Sequence, residues 1–317
     1  MFLCAARSTG KLVCSFSQRL QQEPLSQIRT FAAFCKKAFC LPLCFLRFLL
    51  FPDFCTVSRV KVPYFHVDAF ASEMFRGNPA GVCLLPEEVA DATLQRIAFE
   101  NNLSETAFVL PQGEELAIRW FTPTVEVDLC GHATLAAAHV LVTEARCHAP
   151  IRFLSASGML GVSREGDQLE LDFPARPGES VAEKGALAAA LGAPPREVLK
   201  AQDYLCVYDR PEDVAALRPD LAAVAALDAR GVIVTAPGED CDFVSRFFAP
   251  GCGIPEDPVT GSAHCTLAPY WAGRLGKNVL FARQVSARGG ELWCRVADDR
   301  VKIGGRCVTY LRGEIFI

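Results

Sequence analysis

The sequence predicts an α/β protein of two similar halves, each a curved mixed β-sheet wrapped around one apolar helix, with the active site in the cleft between them. Three observations predict it. Residues 253–264, Gly-Ile-Pro-Glu-Asp-Pro-Val-Thr-Gly-Ser-Ala-His, run straight into an apolar helical segment, Cys265 to Ala272. Residues 129–134, Leu-Cys-Gly-His-Ala-Thr, do the same ahead of Leu135-Ala136-Ala137-Ala138. The two align as a weak repeat: Gly131 with Gly261, His132 with Ser262, Ala133 with Ala263, Thr134 with His264. Short strand-like runs fill the chain around them. A helix apolar on nearly every side must be wrapped. Glycine permits close backbone approach, and the free N–H groups of a helix start can hold an anion.

Length and composition set the limits. The chain has 317 residues, half of them hydrophobic, enough for two domains of ordinary size. Its net charge of −4 gives no reason to expect nucleic acid or an anionic membrane. Residues 1–60 hold eight Lys/Arg against Glu23 and Asp53, so the remainder carries 24 basic and 34 acidic residues. An anionic substrate therefore needs local help. Fifteen cysteines, an odd number with no C-x-x-C pair, read as free thiols in a reducing compartment.

Residues 1–60 are basic, rich in Cys and Phe, and broken by Pro24, Pro42 and Pro52. They read as an extension, disordered or targeting. The first 34 have the composition of a mitochondrial transit peptide. Ala38 to Cys55 is apolar, but Pro42, Arg47, Pro52 and Asp53 interrupt it short of the ~20 residues a span requires. The expected location is cytoplasmic, or mitochondrial if the extension is a transit peptide.

From Val62 the elements follow in order. Val62–Phe70 alternates as a strand, residues 75–79 form a turn, and Ala80–Leu85 is a second strand. Glu87–Glu100 spaces Val89, Leu94, Ile97 and Ala98 as a helix. Strands follow at 107–110 and 116–121, the first apolar helix at 131–144, then strands at 151–155, 160–164 and 168–173. Pro174, Pro177 and Gly178 mark a boundary, giving domains at 61–175 and 176–317. Helices are expected at 182–191 and 213–216, and strands at 204–208, 232–235 and 242–248. The second apolar helix runs from Ser262 to about Arg274, and four strand-like runs close the chain.

Four motifs carry a resemblance. They are Phe75-Arg76-Gly77-Asn78-Pro79-Ala80, Asn102-Leu103-Ser104-Glu105-Thr106-Ala107, Leu129-Cys130-Gly131-His132-Ala133-Thr134, and Glu256-Asp257-Pro258-Val259-Thr260-Gly261-Ser262-Ala263-His264. In this order they resemble the PhzF family of phenazine-biosynthesis-like proteins, and the animal members look nearest. The resemblance covers Lys61 to the C-terminus. It implies the diaminopimelate epimerase-like fold, a homodimer, no cofactor or metal, and a proton shift in a small carboxylate moved by one glutamate. By motif that glutamate is Glu105. His132 and Asp257 match the family's other polar site residues, and Gly131, Gly261 and Ser262 match its substrate-holding groups.

Each candidate has a plainer reading. Glu105 on spacing alone is a solvated loop acid. An isomerase, however, needs one group that removes a proton at one carbon and returns it at another, and a buried carboxylate suits that work. His132 is otherwise a capping residue, and the helix start favours its neutral form. Asp257 is otherwise a turn acid before Pro258. Glu256 and Glu126 are the competing acids, Glu256 expected in solvent. Ser262 is otherwise a helix cap, and Asn78 a turn residue. His139 and His264 read as packed, and no Cys/His spacing supports a metal. Cys130 is the rival base: related racemases use two cysteines, and a thiol at a helix start has a lowered pKa. Its partner position falls at Thr260, which cannot do that work.

The expected function is a cofactor-independent isomerase acting on a small-molecule carboxylate, with Glu105 as acid and base. The alternatives are a catalytically silent relative that binds a protein or metabolite, and a racemase based on Cys130.

Overall fold

The structure is a computed structural model and describes residues 60–317 apart from 114. The extension and its apolar segment therefore lie outside the described residues. Among the described residues no helix is long and apolar enough to cross a membrane.

The chain opens with strand β1 (Lys61–Ala69), whose apolar residues Val62, Phe65 and Val67 are buried. Gly77 turns the chain with φ +67°, and a Cβ there would meet the Ala69 carbonyl oxygen at 2.1 Å. β2 (Asn78–Leu84) then pairs antiparallel with β1. It begins two residues earlier than expected because Asn78, taken for a turn residue, is already in the ladder. Helix α1 (Asp91–Asn101) buries Leu94, Ile97 and Ala98 and ends at Asn102 in the left-handed region. β3 (Glu105–Gln112) lies parallel to β2, with β4 (Glu115–Phe121) antiparallel beside it. A two-residue β5 (Glu126–Val127) precedes helix α2 (Gly131–Thr143). Strands β6 (Ile151–Ser155), β7 (Gly158–Glu165) and β8 (Gln168–Pro174) complete this part.

The second part holds β9 (Glu179–Ser180), α3 (Lys184–Leu191), β10 (Glu197–Lys200) and β11 (Tyr204–Val207). Helices α4 (Pro211–Ala216) and α5 (Leu221–Ala225) follow. Then come β12 (Val232–Pro237), β13 (Phe243–Ala249) and β14 (Ile254–Asp257). Helix α6 (Gly261–Leu275) leads to β15 (Val279–Gln284), β16 (Gly290–Ala297), β17 (Arg300–Gly305) and β18 (Cys307–Phe316). Strands β5, β9, β10 and β14 and helix α5 carry too few residues for periodicity to show them.

The wrapped-helix expectation holds. Within α2, Ala133, Leu135, Ala136, Ala137, Ala138 and Val140 are fully buried, packed with residues of β1, β2, β3 and β8. Helix α6 buries Ala263, Leu267, Ala268 and Trp271 against β15, β16 and β17. Burial of each large side chain contributes about 1.5–3 kcal/mol, which offsets the weak intrinsic stability of helices this short. β8 pairs antiparallel with β17, and β18 returns to pair with β1. All nine cysteines of the described residues are free.

Candidate active site

Three loops and two helix starts supply the site. Ser104 and Glu105 stand where the turn after α1 enters β3. Cys130 immediately precedes α2, and His132 is the second residue of that helix. Asp257 ends β14, and Thr260 immediately precedes α6. Neither helix start is capped by a hydrogen-bonding side chain. Thr260, positioned to cap α6, instead donates its hydroxyl to Asp257 Oδ2 at 2.5 Å.

His132 joins the acid to the thiol. Its Nε2 lies 3.2 Å from Glu105 Oε2, with Glu105 9% and His132 7% exposed. The contact is an ion-pair approach without hydrogen-bond alignment, so both buried atoms lack a hydrogen-bond partner. On the other side of the ring, Nδ1 lies 3.5 Å from Cys130 Sγ. Burial opposes the imidazolium, but Cys130 and Glu105 together outweigh it and hold the His132 pKa well above its ordinary range. The expectation of a neutral His132, argued from the helix start, is thus corrected: Cys130 and the Glu105 carboxylate together outweigh burial. The expected low pKa of Cys130 is corrected too, because burial raises it.

Asp257 is held from both sides. Asn78 donates through Nδ2 to Asp257 Oδ1 at 2.7 Å and to the Val259 carbonyl at 2.9 Å. Ser104 donates to Asn78 Oδ1 at 3.4 Å, so the residue before Glu105 is tied to Asp257 through Asn78. Gln284 donates to the Asp257 carbonyl at 2.8 Å and to Thr260 Oγ1 at 3.1 Å, and accepts from the Thr260 N–H at 2.9 Å. Burial, with Glu105 adding to it, lifts the Asp257 carboxyl from its ordinary 3.8 to about 6; His132, Thr260 and Asn78 act against the rise.

Gly131 and Gly261 open the two helices. A Cβ on Gly131 would come no closer than 3.7 Å to Phe173, and one on Gly261 no closer than 3.7 Å to Phe70. Neither glycine has positive φ. Packing and backbone conformation therefore do not account for glycine at these positions. Ser262 does not cap α6; its Oγ accepts from Arg230 Nη2 at 3.3 Å.

The competing residues lie elsewhere. Glu126 is clasped by Arg119 at 2.7 Å through both oxygens. Glu256, expected in solvent, is paired with the buried Arg246 at 2.7 and 2.9 Å. His264 is fully buried, joined through Nδ1 to the Thr260 carbonyl at 2.8 Å, and burial lowers its pKa to about 4. His139 meets Thr309 Oγ1 at 3.1 Å. The fold does bring Glu105, Cys130 and His132 within 4.8 Å of one another, a cluster the sequence spacing did not show. Cys130 meets one ring nitrogen and Glu105 the other, the arrangement of a relay rather than of ligands converging on one ion.

Sequence reasoning missed Gln284 and Arg230, and took Asn78 for a turn residue rather than a partner of Asp257. Asn78 sits in a quoted motif and was readable; Gln284 and Arg230 lie in strand and loop sequence with no motif of their own.

The chain matches known proteins. The model of the family described as phenazine biosynthesis-like protein matches residues 67–313. The chain belongs to that family. An uncharacterized isomerase of Pseudomonas aeruginosa is 55% identical over 258 residues, covering 81% of this chain and 99% of that protein. The human phenazine biosynthesis-like domain-containing protein is 39% identical over 287 residues, with the same coverage. The bacterial relative is thus the more similar, against the expectation that animal members would be nearest. A crystal structure of a PhzF-family protein from Enterococcus faecalis superposes with TM-score 0.80 at 47% identity, covering 81% of this chain and 100% of that one. The epimerase-like fold expected for the phenazine biosynthesis-like family is the fold observed.

Proposed function

We propose that this protein is an isomerase that shifts a proton between two carbons of a small carboxylate, with Glu105 as acid and base. One observation carries the reading. Glu105 Oε2 and His132 Nε2 are buried 3.2 Å apart, each the other's charged neighbour and neither hydrogen-bonded to any further group. A buried acid and imidazole with spare hydrogen-bonding capacity suit proton exchange with a bound ligand. Relatives named as isomerases support the same reaction class.

The substrate lies between the starts of α2 and α6. Uncapped N–H groups around Gly131, Gly261 and Ser262 meet its charge as it develops. Bare glycines let the ligand approach the backbone. Glu105 takes the proton and returns it. His132, cationic beside Glu105, orients that carboxylate and the substrate. Asp257, with a pKa near 6, can hold or release a second proton close to neutrality. The scheme invokes no cofactor. A Cys130-based racemase is disfavoured by the raised thiol pKa and by Thr260, whose hydroxyl is committed to Asp257.

The reading includes a homodimer. Phe75 and Tyr310, rings 5.5 Å apart and both exposed, offer a second copy an apolar face. Sedimentation would give the mass of one chain if the dimer is wrong.

The deciding experiment incubates the full chain in D2O with a panel of small cyclic and amino-acid carboxylates and reads their masses. Deuterium uptake lost in Glu105→Gln and kept in Cys130→Ser supports the proposal. Uptake lost in Cys130→Ser instead restores the racemase. No uptake from any compound favours a protein that binds without catalysis.

A further inference from the structure

Arg230 takes no part in the proton relay, yet it stands beside it. It lies in the loop between α5 and β12. Its Nε and Nη2 meet both oxygens of Asp203 at 3.0 and 2.5 Å, and Asp203 is 4% exposed. Its guanidinium covers the Phe247 ring, 5.3 Å from the centroid. Nη2 also reaches Ser262 Oγ, and the charge of Arg230 interacts with that of Asp257.

The plain reading is that Arg230 neutralises a buried aspartate. That accounts for one edge of the guanidinium and leaves the other. Nη1, with two N–H groups, has no acceptor among the described residues, and the side chain is one-third exposed. Ser262 Oγ accepts from Arg230, so its own O–H is free to donate. A planar cation is thus fixed by a buried acid and an aromatic face, with its spare donors and a spare hydroxyl at the start of α6. Such a fork fits the two oxygens of a carboxylate. The need is real: residues 61–317 carry more acid than base, so the distant field repels an anion.

We propose that the free Nη1 edge of Arg230 adds a charged contact to the substrate's carboxylate at the α6 start, with the reacting carbons toward Glu105. The proposal deepens the isomerase reading and rests on it for the word substrate. It assigns to Arg230 the preference for an ionised acid over a neutral amide of the same shape.

The test measures binding of two probes, benzoate and benzamide, to the full chain by ligand-observed NMR. Benzoate should bind at least about tenfold more tightly than benzamide, the factor a charge-assisted hydrogen bond supplies. Arg230→Gln alone strands Asp203 without a partner and threatens the fold. The double variant Arg230→Gln with Asp203→Asn removes both charges and keeps similar shapes; its fold is checked by circular dichroism and thermal unfolding. It should lose about tenfold in benzoate affinity and leave benzamide unchanged. The proposal is overturned if the folded double variant binds benzoate as the parent does. It is overturned equally if the parent binds both probes alike or binds benzoate not at all. Deuterium exchange separates the two readings. Should no compound exchange deuterium while benzoate binding still depends on Arg230, the isomerase reading fails and the anion site stands.

Discussion

Asn78 donates to Asp257 at 2.7 Å although 179 residues separate them in sequence. That one amide ties the first motif of the chain to the last. Through Ser104 it also reaches the residue beside Glu105. Asn78→Ala should therefore act on both stability and chemistry. The Val259 carbonyl and the Asp257 carboxylate would each lose a buried donor, at a cost of about 1–3 kcal/mol. Urea unfolding would show it as a lower midpoint with unchanged slope. An unchanged midpoint would remove Asn78 from the framework of the site.

Asp257 gives a pH signature. Its folded pKa of about 6 lies above its ordinary 3.8, so the folded protein binds this proton more tightly than the unfolded chain. The resulting stability is fully present below pH ~4 and is lost as pH rises through ~6, about 3 kcal/mol in all. Asp257→Asn should flatten that part of the stability profile and be relatively more stable at pH 7 than at pH 4. Urea midpoints measured across this window would refute the assignment if both proteins kept the same slope.

Gly131→Ala separates packing from function. The added methyl meets no protein atom closer than 3.7 Å, and alanine favours a helix over glycine by about 0.5–1 kcal/mol. Thermal stability should hold or rise slightly. Deuterium exchange should fall, because the methyl occupies space at the helix start where the ligand approaches. A less stable variant with full exchange would reverse the argument.

Glu105→Gln should leave the fold intact, since it keeps the shape and His132 can release its proton once the carboxylate is gone. Exchange should drop by about 10²–10⁴, the usual contribution of a positioned acid and base. A variant retaining exchange within a few-fold would move the proton transfer to Asp257 or Cys130.

Much of the fold was readable. The two apolar helices announced themselves because most of their residues are apolar and buried, and wrapping hides such a surface. The elements flanking them were placed within a few residues. Short pieces such as β9, β14 and α5 escaped because two to five residues show no period. The site was legible where local sequence carried it: Glu105, His132 and Asp257 all lie in motifs, and the fold gathers them. Charges set by distant partners were not legible. The carboxylate that, with Cys130, favours a cationic His132 comes from β3, and the arginine that takes Glu256 out of solvent comes from β13. The Asp203–Arg230 pair joins two loops that share no pattern.

The pairing of β8 with β17, and of β18 with β1, has a bearing on ligand choice. The first ladder ties the middle of the chain to its last strands with six pairs, and the second ties the first described strand to the last with nine. Strands locked in register resist sliding, so the starts of α2 and α6 keep a set spacing whether or not anything lies between them. A site framed this way works as a gauge. Molecules of the right length should enter with little rearrangement, and those a bond or two longer should be refused rather than accommodated.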